Sequence, residues 1–249
     1  MASYCDALMA TPLATSWWIE PAIASASFFG FMFFFRFYED QPYGGRFHPL
    51  TISAVLALLT YWLGIGLWVS VVPRPVGAAS GCPHDMAEMV TLLAELVCGI
   101  MGYDFVLFCL HLLMHKVPAF GRCIGHGKHH RFSGDTGARK GGAFRTTDHS
   151  LADGAIQVLS NILVQRHTPW GSAKSRLARW LHNVIVIEML VESHSNSKRP
   201  RLARALFSGV DGHHLHHRDH GAPYQQFFGY LDAAWMRWNA GLDAKRGRH

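Results

Sequence analysis

Apolar residues run along this chain in long blocks, with little of the once-per-turn alternation that marks the helices of a soluble domain. From Ser16 to Phe37 (SWWIEPAIASASFFGFMFFFRF) nearly every position is apolar, and about 20 such residues suffice to cross a hydrocarbon core. Trp17 and Trp18 suit an interfacial aromatic belt, Glu20 lies near one end, and Arg36 lies near the other, where its long stem can snorkel. Thr51 to Val72 carries no charge at all. Met86 to Leu110 is a third apolar run, interrupted by Glu88, Glu95 and Asp104, and it leads straight into His111. Acidic groups in such a segment face a bundle interior or a cavity. Breaker-rich stretches, Tyr38–Pro49 and Pro73–Pro83, connect the three runs. Residues 1–15 lack the basic n-region of a cleaved signal, which predicts a retained terminus.

Two shorter apolar segments follow, Ser150–Val164 and Leu177–Val191, separated by Arg166–Arg176 with Pro169 and Gly171. They predict a helical hairpin that either crosses and returns or lies at the interface. Both arrangements bring the chain back to the side it left. The tail from Gly221 is amphipathic and ends in a basic run. The expected architecture is therefore all-α: an integral-membrane bundle of about three spanning helices plus a hairpin. It divides into an N-terminal transmembrane region (1–110), a motif-bearing region (111–235) and a basic tail (236–249).

Composition supports the membrane reading, with 49% apolar residues and 16% charged, against about 25% charged in an average soluble domain. Charge then adds an orientation. Residues 1–115 carry a net −5 and residues 116–249 a net +11, and the positive half begins where the apolar half ends. That placement fits a cytoplasmic region following spanning helices and argues against nucleic-acid binding. Five cysteines (Cys5, Cys82, Cys98, Cys109, Cys123) form no CxxC pair and no regular interval, so neither a disulfide framework nor a thiolate zinc site is expected.

The candidate chemistry lies in the histidines. His111 and His115 are four apart, His126, His129 and His130 follow, and His213, His216 and His217 repeat the second spacing. Residues three and four apart share a helix face, so each group would project its imidazoles together. Neutral imidazole suits Fe, Cu, Zn and Ni, and eight nitrogens match two metals with about four ligands each. A zinc protease is excluded, because HLLMH lacks the Glu that serves as base. His48, His84, His167, His182, His220 and His249 are expected to be non-ligands, with His182 a possible core or supporting residue.

The order YDFVLFCLHLLMH, GHGKHHRF, a lone His followed by Ser, and a HxxHH group followed by FGYLD resembles the fatty acid hydroxylase / sterol desaturase superfamily over about residues 100–235. That superfamily comprises integral-membrane, non-haem di-iron enzymes of the endoplasmic reticulum. The resemblance implies that His111, His115, His126, His129, His130, His213, His216 and His217 bind two irons, with His194 as an additional histidine. It places Asp104 as the acidic residue ahead of the first box and His149 as a further family histidine. Asp104, Asp148, Glu192 and Asp211 are candidate acceptors for the imidazole N–H groups. Leu112, Ser150, Asn196 and His214 stand where Arg, Pro, Gly and Asp are common in the family. The resemblance further implies O₂-dependent hydroxylation or desaturation of a sterol or fatty-acyl lipid at a multi-pass, cytoplasm-facing site. Electrons would come from cytochrome b5 or a reductase, which the +11 half would attract. A catalytically silent lipid binder or scaffold and a histidine-rich metal transporter remain the alternatives.

Overall fold

The computed structural model describes residues 4–38, 79–131, 142–147, 149–195, 209–221 and 223–246, with isolated positions between 52 and 67. Among them every named element is helical, and the one extended pairing is a single bridge between His167 and Ala173. In chain order the helices are α1 (Tyr4–Met9), α2 (Pro12–Thr15), α3 (Ile19–Tyr38), α4 (Met86–Lys116), α5 (Pro118–Ile124) and α6 (Gly127–Arg131). A 3-10 turn (Ala143–Thr147) then leads to α7 (Leu151–Val164), α8 (Arg176–His194), α9 (Gly209–Asp219) and α10 (Tyr230–Arg246).

The third apolar run and the first histidine pair are one helix. Asp85 caps α4 by accepting from the Glu88 N–H at 2.8 Å, and the helix continues for 31 residues, about 46 Å. Leu92, Leu96, Gly99, Ile100, Tyr103 and Leu107 form its buried stripe. Val90, Leu93, Val97, Met101 and Phe105 form an exposed stripe that is just as apolar. By length and composition α4 is the one described helix able to cross a membrane, whereas α7 is a shorter apolar helix. Thirteen of the 22 residues of the expected span Thr51–Val72 lie outside the described residues. A boundary at residue 110 separates motifs rather than structural units, since α4 runs through it.

The two segments expected to form a hairpin are the helices α7 and α8, each started by a serine: Ser150 accepts from the Asp153 N–H and Ser175 from the Ala178 N–H. α8 is the central element, packed against α3, α4, α9 and the 3-10 turn. One core cluster joins Ala24, Met32 and Phe35 of α3 to Ile187 and Val191 of α8, and another joins Ile100, Tyr103 and Leu107 of α4 to Val186, Met189 and Phe227. Glu95 is buried on α4 and accepts from the Ser175 N–H and, at 2.5 Å, from its hydroxyl, which fixes the start of α8. Glu20 at the start of α3 pairs with Arg179 of α8 at 2.8 Å.

The cysteine expectation needs correction. Cys5 and Cys82 form a disulfide that ties α1 to the segment leading into α4. Asp6 reinforces the junction through His84 at 2.9 Å and Ser80 at 3.0 Å. The partners are 77 positions apart, a separation with no recognisable signature in sequence.

Candidate metal centre

The nine histidines singled out in sequence come together at the C-terminal end of α4, in two groups. His111, His115, His126, His130 and His216 form one; His129, His194, His213 and His217 form the other. Within each group the donor nitrogens lie within 4.8 Å of one another.

Helix geometry explains why each HxxHH box is shared between the groups. At about 100° per residue, positions i and i+4 diverge by about 40°, while neighbouring positions diverge by about 100°. His126 and His130 therefore stay together and His129 turns to the second group; His213 and His217 stay together and His216 turns to the first. α5 and α6 supply the reversal that brings His126 back over α4. It passes through Gly125 at φ 74°, a left-handed conformation suited to glycine.

Backbone carbonyls and one carboxylate orient four of the rings. His111 Nδ1–H donates to the Tyr224 carbonyl (2.8 Å), His216 to Gly221 (2.7 Å), His194 to Leu190 (2.9 Å) and His126 to Asp153 Oδ2 (2.9 Å). Carbonyl and carboxylate oxygens only accept, so these four imidazoles carry the proton on Nδ1 and present an Nε2 lone pair. Nε2 atoms then face one another: His126 to His115 at 3.2 Å, His126 to His130 at 3.0 Å, His194 to His213 at 2.9 Å, and His213 to His217 at 2.9 Å. The buried Nε2 atoms of His111 and His216 have no hydrogen-bond partner among the described residues.

Lone pairs at this spacing repel unless a proton or a cation lies between them. Nitrogens held about 2.1 Å from one ion at right angles stand about 3.0 Å apart. The donor set therefore fits two metal ions. Burial also keeps the ligands in their metal-binding form. It pushes His216 down to about 4, with the Gly221 carbonyl pulling back and His126 adding to the fall. His213 is pushed far below the usual imidazole range by burial and then His194, and His130 by burial and then His129.

The acidic candidates are distributed differently. Asp104 is fully buried, but its oxygens accept from the Phe227 N–H (2.9 Å), the Phe228 N–H (3.3 Å) and the Gln225 side chain (2.5 Å), so the acceptor for His111 is Tyr224 instead. Glu192 is buried on α8, Asp211 is exposed on α9, and Asp148 lies outside the described residues. Asp153 takes the role expected of these groups. His182 lies in another buried network, bonded to Lys174 (3.2 Å) and Asn161 (2.9 Å). His84 is the partner of Asp6, and His48 and His249 are outside the described residues.

A small cavity of about 40 Å³ reaches both groups, with Leu107, Met114 and Ile156 among its walls. Thr146, His149, Gln157 and Leu190 also border a second, more apolar cavity of about 100 Å³ between α3, α7 and α8. His149 thus borders both cavities, its Nδ1–H donated to the Ser150 carbonyl at 3.0 Å.

Curated relatives resemble this chain over part of its length. Cholesterol 25-hydroxylase of Mus musculus is 28% identical over 155 residues, 60% of this chain and 48% of that protein. Cholesterol 25-hydroxylase of Homo sapiens is 25% identical over 155 residues, 60% of this chain and 53% of that protein. The chain thus aligns with about half the length of these curated relatives. No solved structure gives a significant match. The fatty acid hydroxylase family profile matches residues 96–235, the stretch from the buried half of α4 to the start of α10 that carries all nine clustered histidines. On that match, which covers more than half of its residues, this protein belongs to the fatty acid hydroxylase family, within the fatty acid hydroxylase / sterol desaturase superfamily.

Proposed function

We propose that the protein is an integral-membrane, non-haem di-iron enzyme that inserts oxygen into a C–H bond of a lipid. The observation that carries the reading is the pair of imidazole nests, five and four donor nitrogens, whose Nε2 atoms converge at 2.9 to 3.2 Å and leave the buried Nε2 of His111 and His216 without a hydrogen-bond partner among the described residues. His111, His115, His126, His130 and His216 would hold one iron, and His129, His194, His213 and His217 the other. The bound irons supply the oxidant, derived from O₂, that an unactivated C–H bond requires. In hydroxylation one oxygen atom enters the substrate and the other leaves as water, with two electrons and two protons delivered from outside.

The protein's own part is placement and exclusion of water. Tyr224, Gly221, Leu190 and Asp153 fix ring orientation. The apolar walls of the two adjacent cavities would receive hydrocarbon and keep competing water away. The apolar, exposed face of α4 and exposed Phe33, Phe34 and Phe37 of α3 suit contact with lipid tails. In this reading α4 spans the bilayer, α3 and the Thr51–Val72 run accompany it, and the hairpin either crosses and returns or lies at the interface. The Cys5–Cys82 disulfide suits an oxidising compartment and lies at the opposite end of α4 from the histidines, which supports a metal end facing the cytoplasm. The positive-inside charge pattern agrees. In the endoplasmic reticulum, that face would meet cytochrome b5 or a reductase.

Hydroxylation is favoured over desaturation by the relatives' names, and a sterol or acyl lipid is the substrate class. A transporter would string its histidines along a path through the bilayer, whereas here they gather at one end of α4. The test is iron analysis of detergent-purified protein with a lipid profile of cells with and without it. Two irons per chain and an oxygenated lipid are expected. No iron, with His129→Ala and His216→Ala leaving metal content and lipid profile unchanged, would overturn the proposal.

A further inference from the structure

We infer that Asp232 is a positioning residue for the five-histidine group, acting on His111 through the peptide that joins Tyr224 to Gln225. The inference rests on the di-iron reading above. Asp232 lies on the first turn of α10, is 2% exposed, and makes no hydrogen bond to a histidine among the described residues. Its Oδ1 accepts from the Tyr224 N–H at 2.7 Å and its Oδ2 from the Gln225 N–H at 2.8 Å. The Gln225 N–H and the Tyr224 C=O belong to one peptide unit, which is planar with donor and acceptor pointing opposite ways. The far side of that unit is the carbonyl that accepts from His111 Nδ1–H at 2.8 Å. Carboxylate, peptide and imidazole thus form one line of hydrogen bonds.

The arrangement has two consequences. A carboxylate that accepts from two successive N–H groups fixes both peptide planes, and with them the direction of the Tyr224 carbonyl. Its charge also polarises the Gln225 amide, making that carbonyl a stronger acceptor and His111 Nε2 a stronger donor, much as a carboxylate bonded directly to a metal-ligating histidine does. The same loop carries the Gly221 carbonyl that orients His216, and the Tyr224 ring packs against His111, His115 and His216. All of these belong to the five-histidine group. The loop approaches the other group through Gln226, whose side chain donates to Ser193 Oγ on α8.

The experiment is iron release from full-length, Fe(II)-loaded, detergent-purified protein into a colorimetric chelator without oxygen. The wild type should hold two equivalents per chain. Asp232→Asn keeps the shape but loses the charge and one acceptor, and should release one equivalent about 10–100-fold faster while the second leaves at the wild-type rate. His213→Ala, which removes a ligand from the other group, identifies the phases; with Asp232→Asn it should leave no slow phase. A merely structural defect would quicken both equivalents together, and that result, or no change in either, overturns the inference. If Asp232→Asn fails to fold, Asp232→Glu keeps the charge and displaces it, and the same one-sided loosening decides. A wild type without iron would instead overturn the di-iron reading, and this inference with it.

Discussion

Two buried polar clusters lie at opposite ends of the α4–α8 contact, and they are built on different principles. Near the start of α8, Lys174 meets His182, His182 meets Asn161, and Asn161 and Gln165 meet Asn183, while Glu95 holds Ser175. Donors there face acceptors, with Gln165 Oε1 the exception. At the other end nine imidazoles gather their donor nitrogens in two groups, each within 4.8 Å. His182 and His216 make the contrast within one residue type: both are fully buried, yet His182 uses both ring nitrogens, whereas His216 uses Nδ1 and leaves Nε2 unpartnered among the described residues. Buried polar groups are normally paired, so a satisfied network is complete in itself and a convergence of acceptors implies a cation.

The largest expected effect comes from removing ligands. His216→Ala and His129→Ala, one from each group, should each cost one iron per chain and lower lipid oxidation by at least about 10³-fold, since two metals acting together fail when either is lost. Metal analysis and product quantification check this. An equally large loss of iron in His182→Ala would break the comparison, because it would place the satisfied network inside the metal centre.

Acid should separate the clusters next. Burial holds the folded His216 near 4 and His213 and His130 below the ordinary imidazole range, whereas the unfolded chain titrates near 6.5. Between those values the unfolded state binds more protons. The metal-free protein is therefore most stable above pH 6.5 and loses stability as pH falls toward 4, by up to about 1.4 kcal/mol per pH unit for each such histidine. Thermal melts of chelated and iron-loaded protein from pH 7.5 to 5 check it: the chelated form should weaken first. Equal decline in both forms would mean the imidazoles are not held by metal.

His182→Ala belongs to the other cluster. Leaving Lys174 and Asn161 without their shared partner should cost about 3 kcal/mol of stability with iron content unchanged, read by denaturation alongside metal analysis.

How much of this was legible from the chain depends on what carries the information. Histidine spacing encodes a helix face, so eight of the nine clustered positions could be named from it and the ninth, His194, from the family resemblance, while the apolar runs marked the two helices α7 and α8. The five-and-four division was not foreseen, although the same 100° step implies it once the boxes are helical. Asp104 shares a face with His111 but precedes it by seven residues, about 10.5 Å along the axis, beyond a carboxylate's reach. The carbonyls of Tyr224, Gly221 and Leu190 were invisible because a backbone acceptor has no residue signature. Asp153 was missed because its role depends on α7 lying beside α6.

Asp153 also provides the finest test. It is the one carboxylate bonded directly to a clustered histidine among the described residues, and its Oδ1 is held by the Gln157 amide at 2.9 Å. Asp153→Asn keeps an oxygen that can accept from His126 Nδ1–H, so ring orientation survives and the charge alone is lost. Gln157 can turn its amide to meet the new donor. The expected loss is therefore at the lower end of what such acceptors contribute, about tenfold in affinity for one iron, or about 1.4 kcal/mol. Chelator competition on detergent-purified protein measures it. An unchanged affinity would show that orientation alone matters at His126, and a loss as large as that of His216→Ala would show that the carboxylate's charge, rather than the number of imidazoles, holds the first metal.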